Sequence, residues 1–485
     1  MVERAELISR MTTALGARGV IHERNQLRTY ECDGLAAFRV TPSLVVLPET
    51  AEQVQAAVRI CHEAGVPFVA RGSGTGLSGG ALPVSDGVLI VLARMRRIIE
   101  IDLENHRAVV EPGVINLDVT KAVAPHGYYY APDPSSQQIC SIGGNVAENS
   151  GGAHCLKYGF TTNHVTGLEV VLPDGEMVHL GGKGPDAPGY DLVGAFVGSE
   201  GTLGIATKVT VRLLRKPASV RTLLAAFDST DAAGEAVSGV IGAGIVPAAI
   251  EMMDALAIEA AEGATHAGYP ADAAAALVVE LDGSEAECEH RFEEVKAICD
   301  RNGATGIRVA QDEAERQLIW KARKAAFAAM GRISTDYYVQ DGVIPRTALP
   351  EVLRRISEMA GERGLRVANV FHAGDGNLHP LVLYDADIEG QEQRAEELSA
   401  EILYLCLEHG GSITGEHGVG FDKKQHMPRQ FSTVDLETMQ LVRCAFDPDG
   451  RCNPGKVFPT PRLCGEAPGP RRAHPVERAG LAEVW

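Results

Sequence analysis

The chain has 485 residues, of which 45% are hydrophobic and 22% charged, and this length is enough for two or three globular domains with buried cores. The 45 Lys and Arg residues against 64 Asp and Glu give a formal net charge of −19, which argues against binding to nucleic acid or to an anionic membrane surface. The ten cysteines form no C-x-x-C pair, so neither an iron–sulfur cluster nor a thiolate zinc site is indicated.

Residues 1–37 are predicted to form a helical lead-in. The first residues carry acidic side chains, and no run in the chain approaches the length of a membrane span. We therefore expect a cytoplasmic protein that has no direct membrane span and reaches a membrane only through a partner.

Short apolar runs separated by glycine turns follow the lead-in. The clearest predicted strands are residues 44–47, 88–92 and 165–172. Residues 49–64 have the apolar spacing of an amphipathic helix, with Thr50 as its N-cap. One strand–helix–strand step therefore leads into the glycine-rich loop that comes next.

Residues 71–80 contain five glycines directly behind an apolar run, a composition typical of a backbone-lined phosphate cradle. Gly74, Gly76 and Gly79 also satisfy the dinucleotide pattern G-x-G-x-x-G, which requires a helix to open at the loop. A proline, an Asp-Gly turn and a β-rich run follow instead. The loop therefore predicts phosphate binding on a fold other than the Rossmann fold, and a nicotinamide-dependent dehydrogenase is kept as an alternative.

Two more glycine-rich runs occur in the same half of the chain, at residues 141–152 and 196–205, and Pro134 and Ser135 precede the first of them. Each run alone is as typical of a surface turn as of a ligand-binding loop. Three such runs in one domain favour a single extended cofactor that all of them contact.

The next part of the chain alternates strands and helices. Residues 223–227 and 276–280 are predicted as strands, and residues 232–240, 253–262 and 284–302 as helices. This alternation predicts an α+β domain with an antiparallel sheet covered on one face.

A second set of candidate residues lies in the C-terminal third. His372 and His379 flank a Gly-Asp-Gly turn, and Glu416 adds a carboxylate. Two imidazoles and one carboxylate with open positions suit a divalent cation that also binds substrate. His417 can stay free of the metal and accept a proton, since imidazole titrates near neutral pH. The alternative is that these histidines bridge backbone groups in tight turns.

Arg323 lies on a helix predicted near residues 311–330, from which its guanidinium could bind a carboxylate through two hydrogen bonds. A solvated surface arginine is an equally good interpretation. Asn453 and Lys456 lie in a turn-rich segment that by itself indicates only a loop.

Taken together, these motifs resemble those of the FAD-linked oxidases of the vanillyl-alcohol-oxidase type, specifically the group of the glycolate oxidase FAD-binding subunit and the D-lactate and D-2-hydroxyglutarate dehydrogenases. The most specific pieces are residues 71–80, 141–152, 198–204, 336–346, 372–379, 415–418 and 453–456. The resemblance covers residues 41–459 and implies an α+β protein. It has a two-part FAD-binding domain, which carries the pyrophosphate on the first glycine loop, and a ferredoxin-like antiparallel-sheet cap domain.

The expected division of the chain follows from this resemblance and from composition. It comprises a lead-in at residues 1–37, an FAD-binding domain at 38–216, a cap domain with the metal site at 217–425, a C-terminal helix and flavin-contacting segment at 426–460, and a mobile tail at 461–485.

The resemblance also implies roles for individual residues. A divalent metal such as Zn, Mn or Fe would be held by His372, His379 and Glu416, the catalytic base would be His417, and Arg323 would bind the substrate carboxylate. The residues that would contact FAD are Arg71, Gly72, Ser73, Gly74, Thr75, Gly76, Leu77, Ser78, Pro134, Ser135, Ser141, Gly143, Gly144, Asn145, Asn149, Ser150, Gly151, Glu200, Gly201, Gly204, Ile205 and Asn453.

Two departures from the wider family carry further expectations. No histidine lies between Arg71 and Gly80, so we expect FAD to be bound non-covalently. Relatives of the hydroxyglutarate type hold the second carboxylate of their substrate with Thr and Lys side chains, and this chain has Phe327 and Val339 in that neighbourhood. A long diacid substrate is therefore not expected.

The predicted activity is oxidation of a small 2-hydroxy acid, of the glycolate or D-lactate type, to the 2-oxo acid, with hydride transfer to flavin N5. The electrons are expected to pass to an external acceptor, for which iron–sulfur and second flavoprotein subunits are candidates, and such partners could hold the protein at the inner membrane. The alternatives are a dehydrogenase of the D-2-hydroxyglutarate type, a D-lactate dehydrogenase that works alone, and a flavoprotein subunit that mainly relays electrons.

Overall fold

The structure is a computed structural model, and it describes residues 3–184 and 188–459. The predicted mobile tail at residues 461–485 lies outside the described residues.

The first sheet of the N-terminal half is built around parallel strands. In chain order its elements are α1 (Arg4–Leu15), β1 (Val20–Ile21), α2 (Arg24–Leu27), β2 (Leu44–Val46), α3 (Ala51–Ala64), β3 (Phe68–Arg71) and β4 (Val88–Val91), and the strand order is β1-β2-β4-β3. Both β2 and β3 run parallel to β4. The helix predicted after β2 is confirmed, because Thr50 caps α3 by accepting a hydrogen bond from the Gln53 N–H at 3.3 Å.

The first glycine loop connects β3 to β4. No helix lies between these strands in the described residues, which confirms that the loop is not part of a Rossmann unit. The C-terminal segment adds to the free edge of β3, where Cys452 pairs with Phe68. The Phe68 N–H donates to the Arg451 carbonyl at 2.9 Å, and the Asn453 N–H donates to the Phe68 carbonyl at 2.8 Å. The C-terminal segment is therefore fixed beside the glycine loop.

A second, antiparallel sheet completes the N-terminal half. Its strands pair in the order β5-β6-β10-β8-β9, and β7 pairs with β11. In chain order the elements are β5 (Ile98–Asp102), β6 (Arg107–Val110), α4 (Asn116–Val123), β7 (Tyr128–Tyr129), α5 (Ile142–Glu148), α6 (Cys155–Tyr158), β8 (Val165–Val171), β9 (Met177–Gly181), α7 (Leu192–Phe196), β10 (Ile205–Arg212) and β11 (Leu214–Arg215). The second glycine run includes all of α5, which begins after the N-cap Ser141.

The C-terminal half is a cap around a large, mainly antiparallel sheet with the order β15-β12-β14-β13-β18-β19-β17, to which β20 and β16 add through β18. In chain order its elements are β12 (Ser219–Phe227), α8 (Thr230–Gly242), β13 (Ala249–Asp254), α9 (Ala255–Thr265), β14 (Ala275–Gly283), α10 (Glu285–Arg301), β15 (Ala304–Val309), α11 (Glu313–Ala329), β16 (Asp336–Val339), β17 (Gly342–Val343), α12 (Leu349–Glu362), β18 (Arg366–His372), β19 (Asn377–Leu378), β20 (Pro380–Tyr384), α13 (Gln391–Glu408), α14 (Met427–Gln430) and α15 (Thr433–Phe446).

The cap sheet is covered on both faces, so the prediction of cover on one face was wrong. Alternate residues of β12 point into separate cores. Leu223, Ala225 and Phe227 pack with residues of α8, α10, α12 and α13, whereas Leu224 and Ala226 pack with residues of α9 and α11. A stretch that is apolar at every position, as residues 223–227 of β12 are, is the pattern of a strand buried on both faces.

None of the described helices combines the length and the apolar character needed to cross a bilayer.

Candidate active site

A cleft in the N-terminal half is lined by all three glycine-rich runs. Every residue predicted to contact FAD lies on its wall except Ser78, Asn149 and Asn453, and Glu416 and His417 reach the same wall from the cap. The lining residues that the sequence did not single out are Ala70, Gly80, Ala81, Leu92, Ser136, Cys140, Ala147, Glu148, Phe196 and Ala206.

The first glycine loop offers a row of open backbone donors to this cleft. From Ser73 to Gly80, no backbone N–H group donates a hydrogen bond to any described residue. Successive free N–H groups in a glycine loop form a concave site that attracts anions. Side chains are also excluded from the loop, because a Cβ at Gly72 would collide with Ser141 Oγ. The loop thus fits the diphosphate of a dinucleotide cofactor.

The guanidinium of Arg71 holds the loop in place by donating hydrogen bonds to two backbone carbonyls. Its Nη1 donates to the Tyr30 carbonyl at 3.2 Å and its Nη2 to the Ala81 carbonyl at 2.7 Å. Ser78 joins the loop to the cap, because its carbonyl accepts two backbone N–H groups from the residues after Gly420. Both residues therefore fix the shape of the loop.

Asn453 connects two of the glycine runs from behind the cleft. Its Nδ2 donates to the Gly80 carbonyl at 2.9 Å and to the Glu200 carbonyl at 2.6 Å. Lys456 is also buried, and its Nζ donates to the Leu82 carbonyl at 2.8 Å. The C-terminal segment therefore shapes the cleft through backbone carbonyls. Asn149 similarly lies behind the wall, at the left-handed C-cap of α5.

The two predicted histidine ligands and the carboxylate converge at one point in the cap. His372 ends β18, and a tight hairpin returns the chain so that His379 directly precedes β20. Glu416 Oε1 lies 3.2 Å from His372 Nε2 and 3.1 Å from His379 Nε2. Ligand atoms that share a cation at about 2.1 Å have spacings of this size.

A carboxylate oxygen that lacks a hydrogen bond from the described residues at this point is also consistent with a bound cation. Within the described residues, Glu416 Oε2 is buried and has no hydrogen-bond partner. Burial alone would lower the pKa of His372, but the carboxylates of Glu251 and Glu416 outweigh it and raise that pKa. The cluster therefore favours a positive charge beside Glu416, which a divalent ion would supply.

Glu251 stands behind His372, and the sequence analysis missed it. The register of β13 against β18 places Glu251 opposite His372. His372 Nδ1 lies 2.8 Å from Glu251 Oε1, so it donates its proton there, and Nε2, which faces Glu416, is the atom that would bind a metal. Arg323 Nη2 lies 2.5 Å from Glu251 Oε2, and Arg323 is buried and does not line the cleft. Arg323 thus meets the cluster through Glu251.

A buried aspartate, Asp341, organises the loop that carries Glu416 and His417. Its carboxylate accepts the backbone N–H groups of Gly415 at 3.0 Å, Glu416 at 3.2 Å and His417 at 2.9 Å. Lys423 Nζ lies 3.3 Å away. Burial alone would raise the pKa of Asp341, but Lys423 and the neighbouring histidines outweigh it and hold the pKa well below its ordinary value.

His417 is held parallel to His379 and is neutral. The two rings stack with centroids 4.9 Å apart and an interplanar angle of 6°. Burial lowers the pKa of His417 to about 4; Asp341 opposes this shift, whereas His379 and Lys423 support it. A neutral imidazole at neutral pH can accept a proton.

Asp341, His379 and His417 also lie close enough to share an ion. Asp341 already accepts the hydrogen bonds of the loop and pairs with Lys423. Glu416 Oε2 lacks such partners among the described residues. The set built around Glu416 is therefore the better cation site.

Phe327 lies against the same cluster, with its ring centroid 5.8 Å from that of His379, and Val339 is partly buried in the neighbouring core.

Glu251 and Asp341 have weak sequence signals. Glu251 is an acidic residue inside the apolar strand β13, and Asp341 directly precedes β17. Each pattern indicates that the acidic residue has a buried partner, but it does not identify that partner.

Two protein families match separate parts of the chain. Residues 42–181 match the family described as FAD binding domain, and residues 216–457 match the family described as FAD linked oxidases, C-terminal domain.

Several relatives resemble the chain over most of its length. Glycolate oxidase subunit GlcD of Escherichia coli (strain K12) is 54% identical over 96% of this chain and 93% of its own. Glycolate oxidase subunit GlcD of Bacillus subtilis (strain 168) is 40% identical over 88% of this chain and 92% of its own. D-lactate dehydrogenase of Anaerostipes hadrus is 32% identical over 88% of this chain and 91% of its own.

Solved structures share the fold at low identity. A p-cresol methylhydroxylase structure has a TM-score of 0.78 at 20% identity and covers 93% of this chain and 96% of its own. A 4-ethylphenol oxidase from Gulosibacter chungangensis has a TM-score of 0.76 at 21% identity and covers 95% of this chain and 98% of its own. The predicted architecture, an FAD-binding domain of the vanillyl-alcohol-oxidase type with an antiparallel-sheet cap, is confirmed.

Proposed function

Because the chain belongs to the FAD-linked oxidases, we propose that it is an FAD-dependent dehydrogenase that oxidises a small 2-hydroxy acid, of the glycolate or D-lactate type, to the 2-oxo acid. The relatives that support this substrate class are named as a glycolate oxidase subunit and a D-lactate dehydrogenase.

The observation that carries the proposal is the position of two adjacent residues. Glu416 and His417 both line the cleft formed by the glycine runs, and Glu416 also joins His372 and His379. A substrate bound at the cluster would therefore lie beside a cofactor bound in the cleft. Reacting groups that are held next to each other react much faster than free ones.

The roles of the residues follow from this arrangement. When bound, FAD would accept the hydride from C2 of the acid, and a divalent cation held by His372, His379 and Glu416 would lower the pKa of the 2-hydroxyl group. His417 accepts the hydroxyl proton, because burial keeps its imidazole neutral. Arg323 is buried and pairs with Glu251, and it would bind the substrate carboxylate through its Nε, which has no hydrogen-bond partner among the described residues.

The same proposal covers binding of FAD and the electron acceptor. FAD is bound without a covalent link. The curated relatives with the highest identities quoted above are named as subunits. We infer that this chain works with partner subunits, for which an iron–sulfur protein and a second flavoprotein are the candidates. Such partners would also provide any attachment to the inner membrane.

Anaerobic mixing of the purified protein with glycolate, D-lactate, L-lactate and D-2-hydroxyglutarate tests cofactor and substrate together. We expect the flavin absorbance to bleach with glycolate or D-lactate. His417→Ala should keep its FAD, and the rate of bleaching should fall at least about a hundred-fold, which is the usual contribution of a general base. His290→Ala is the matched control, because His290 lies exposed on the surface.

Three results would contradict the proposal. Full activity of His417→Ala with FAD bound would remove the base, and rapid bleaching by D-2-hydroxyglutarate alone would change the substrate class. A protein that carries FAD and accepts electrons from a partner, but is bleached by none of the acids, would be an electron-relaying subunit.

A further inference from the structure

Glu148 is a carboxylate of the cofactor cleft that none of the proposed roles uses. It is the last residue of α5 and lies on the cleft wall. Its Oε2 is buried and has no hydrogen-bond partner within the described ranges. The carboxyl group fits between two glycines, because a Cβ at Gly80 would collide with its Oε1 and a Cβ at Gly418 would collide with its Oε2.

These two glycines locate Glu148 in the cleft. Gly80 ends the loop whose backbone N–H groups are open for phosphates, and Gly418 directly follows His417. Glu148 therefore lies on the side of the cleft that faces the reaction centre. Under the proposed function, this is the side on which the ring system of the flavin must lie.

Glu200 is the neighbouring carboxylate, and its bonding is the opposite of that of Glu148. Glu200 accepts the backbone N–H groups of Val419 at 2.7 Å and Gly420 at 2.6 Å. A Cβ at Gly418 would touch both carboxyl groups, so the two lie side by side. Burial also raises the pKa of Glu200, and the two backbone N–H donors oppose that rise. When two carboxyl groups share a site, the one with donors loses its proton first.

The charges around Glu148 favour the protonated form. Burial is the largest cause that raises the pKa of Glu148, and the carboxylates of Glu200 and Asp33 add to it. Lys423 opposes the shift. Three of these four influences therefore keep the group neutral, and a neutral carboxyl group carries an O–H donor.

We propose that the carboxyl group of Glu148 donates a hydrogen bond to the flavin ring system of the bound cofactor. This inference rests on the proposed function, because it requires FAD in the cleft. A neutral donor stabilises a ring that gains electron density on reduction, and it does so without the repulsion that a carboxylate would add. Glu148 thus contacts the cofactor directly and favours its reduced form.

Two substitutions separate donation of a hydrogen bond from mere space filling. Glu148→Gln keeps the shape and a neutral donor but cannot ionise. Glu148→Leu keeps a side chain of similar length without a donor. Apoprotein of each variant is titrated with FAD by fluorescence between pH 6 and pH 10, and the midpoint potential of the bound flavin is measured with reference dyes.

The expected results differ between the variants. At neutral pH, Glu148→Gln binds FAD as tightly as the unmodified chain, whereas Glu148→Leu binds it about tenfold more weakly, the value of one lost hydrogen bond. The Leu variant also has a lower midpoint potential. At high pH the unmodified chain loses FAD affinity as Glu148 ionises, and Glu148→Gln does not, so the Gln variant corrects for every other titrating group.

Two results would overturn the inference. Tighter FAD binding by Glu148→Gln at neutral pH would mean that Glu148 is charged and repels the cofactor. Unchanged affinity and potential in Glu148→Leu would mean that it only fills space. If the unmodified chain bound no FAD at all, the proposed function itself would fail, which is a separate outcome from either of these.

Discussion

Two buried clusters of histidine and carboxylate side chains differ in how completely their hydrogen-bonding groups are satisfied. The Glu416 cluster consists of His372, His379 and Glu416. The Glu280 cluster consists of Asp133, His154, Thr222, Glu280, Arg316 and Trp320. Because the residue types are so similar, the pattern of bonds decides what each cluster can do.

The Glu280 cluster is saturated and joins the two halves of the protein. Glu280 accepts hydrogen bonds from Thr222 and Trp320, both at 2.6 Å, and two from Arg316, both at 2.8 Å. His154 Nε2 lies 3.3 Å from Glu280, and its Nδ1 lies 2.9 Å from Asp133. His154 and Asp133 belong to the N-terminal half, so the cluster connects the cap to the cofactor-binding half.

The Glu416 cluster contains a buried ligand atom that makes no hydrogen bond within the part of the chain that the structure describes. Its carboxylate Oε2 is buried without a hydrogen-bond partner among the described residues, although buried polar atoms are almost always paired. A saturated cluster can only stabilise the fold, whereas an unsaturated one can bind something. This difference, and not the presence of histidine, separates the candidate reaction centre from a structural contact.

Removal of one charge from the Glu416 cluster is expected to have the largest effect. In Glu416→Gln a cation bound as proposed would lose its carboxylate ligand, and we expect the rate of flavin reduction to fall about a thousand-fold, equivalent to about 4 kcal/mol of transition-state stabilisation. FAD should stay bound, because the Gln side chain has the same shape. Stopped-flow reduction and metal analysis of the purified variant measure both quantities.

Glu408→Gln, on an exposed position of α13, is the matched control. If Glu416→Gln kept both its metal and its rate of flavin reduction, the Glu416 cluster would be structural, and it would not differ in role from the Glu280 cluster.

The sequence predicted the Glu416 cluster for a physical reason. Its members lie in two short glycine-containing segments, in which unusual backbone shapes leave a recognisable pattern. The same is true of the glycine loops, and Thr50 predicted the start of α3 correctly. In these cases the relevant information is local in the chain.

The remaining contacts depend on residues far apart in sequence. Glu280 and His154 are 126 positions apart, and Glu251 and His372 are 121 positions apart. Only the register of β13 and β18 brings the second pair together. A single sequence shows that an acidic residue lies in an apolar strand, but not which group balances its charge. For the same reason the second covered face of the cap sheet was missed.

Removal of one charge from the Glu280 cluster should affect stability instead of catalysis. In Glu280→Gln the guanidinium of Arg316 and the ring of His154 lose their common partner, which should lower the free energy of unfolding by about 3 kcal/mol. The rate of flavin reduction per bound FAD should stay close to that of the unmodified chain. Denaturant unfolding, followed by flavin release and by circular dichroism, measures the loss.

The pH dependence of this loss identifies its cause. Burial alone would raise the pKa of Glu280 and lower that of His154, but their mutual interaction, with Arg316 and Asp133, outweighs burial. The pKa of Glu280 lies well below its ordinary value, and that of His154 is raised to about 10. The cluster is therefore fully effective between the ordinary pKa values of about 4.3 for Glu and about 6.5 for His.

As the pH rises through about 10, His154 loses its proton and the difference between Glu280→Gln and the unmodified chain should shrink. Glu285→Gln, an exposed change at the start of α10, controls for general effects of charge. An equal loss of stability at every pH would assign the effect to packing.

Glu251 sharpens the comparison between the two clusters. Both of its carboxylate oxygens have partners, but it supports the cluster in which Glu416 Oε2 has none in the described part of the chain. It pairs with His372 on one side and with Arg323 on the other. Glu251→Gln keeps an oxygen that can accept the His372 proton but removes the charge, so metal affinity should fall about 10- to 100-fold, as for other partners of ligating histidines. Competition with a chelator measures this affinity directly.

The effect of Glu251→Gln on catalysis should then depend on the metal concentration. If Glu251 acts only by orienting His372, saturating metal restores the rate and leaves KM for the acid unchanged. If the freed Arg323 moves into the substrate pocket, or is lost from it, KM changes even at saturating metal. Restoration of both parameters would place Arg323 outside the substrate site, whereas a lasting change in KM alone would assign it to the substrate carboxylate.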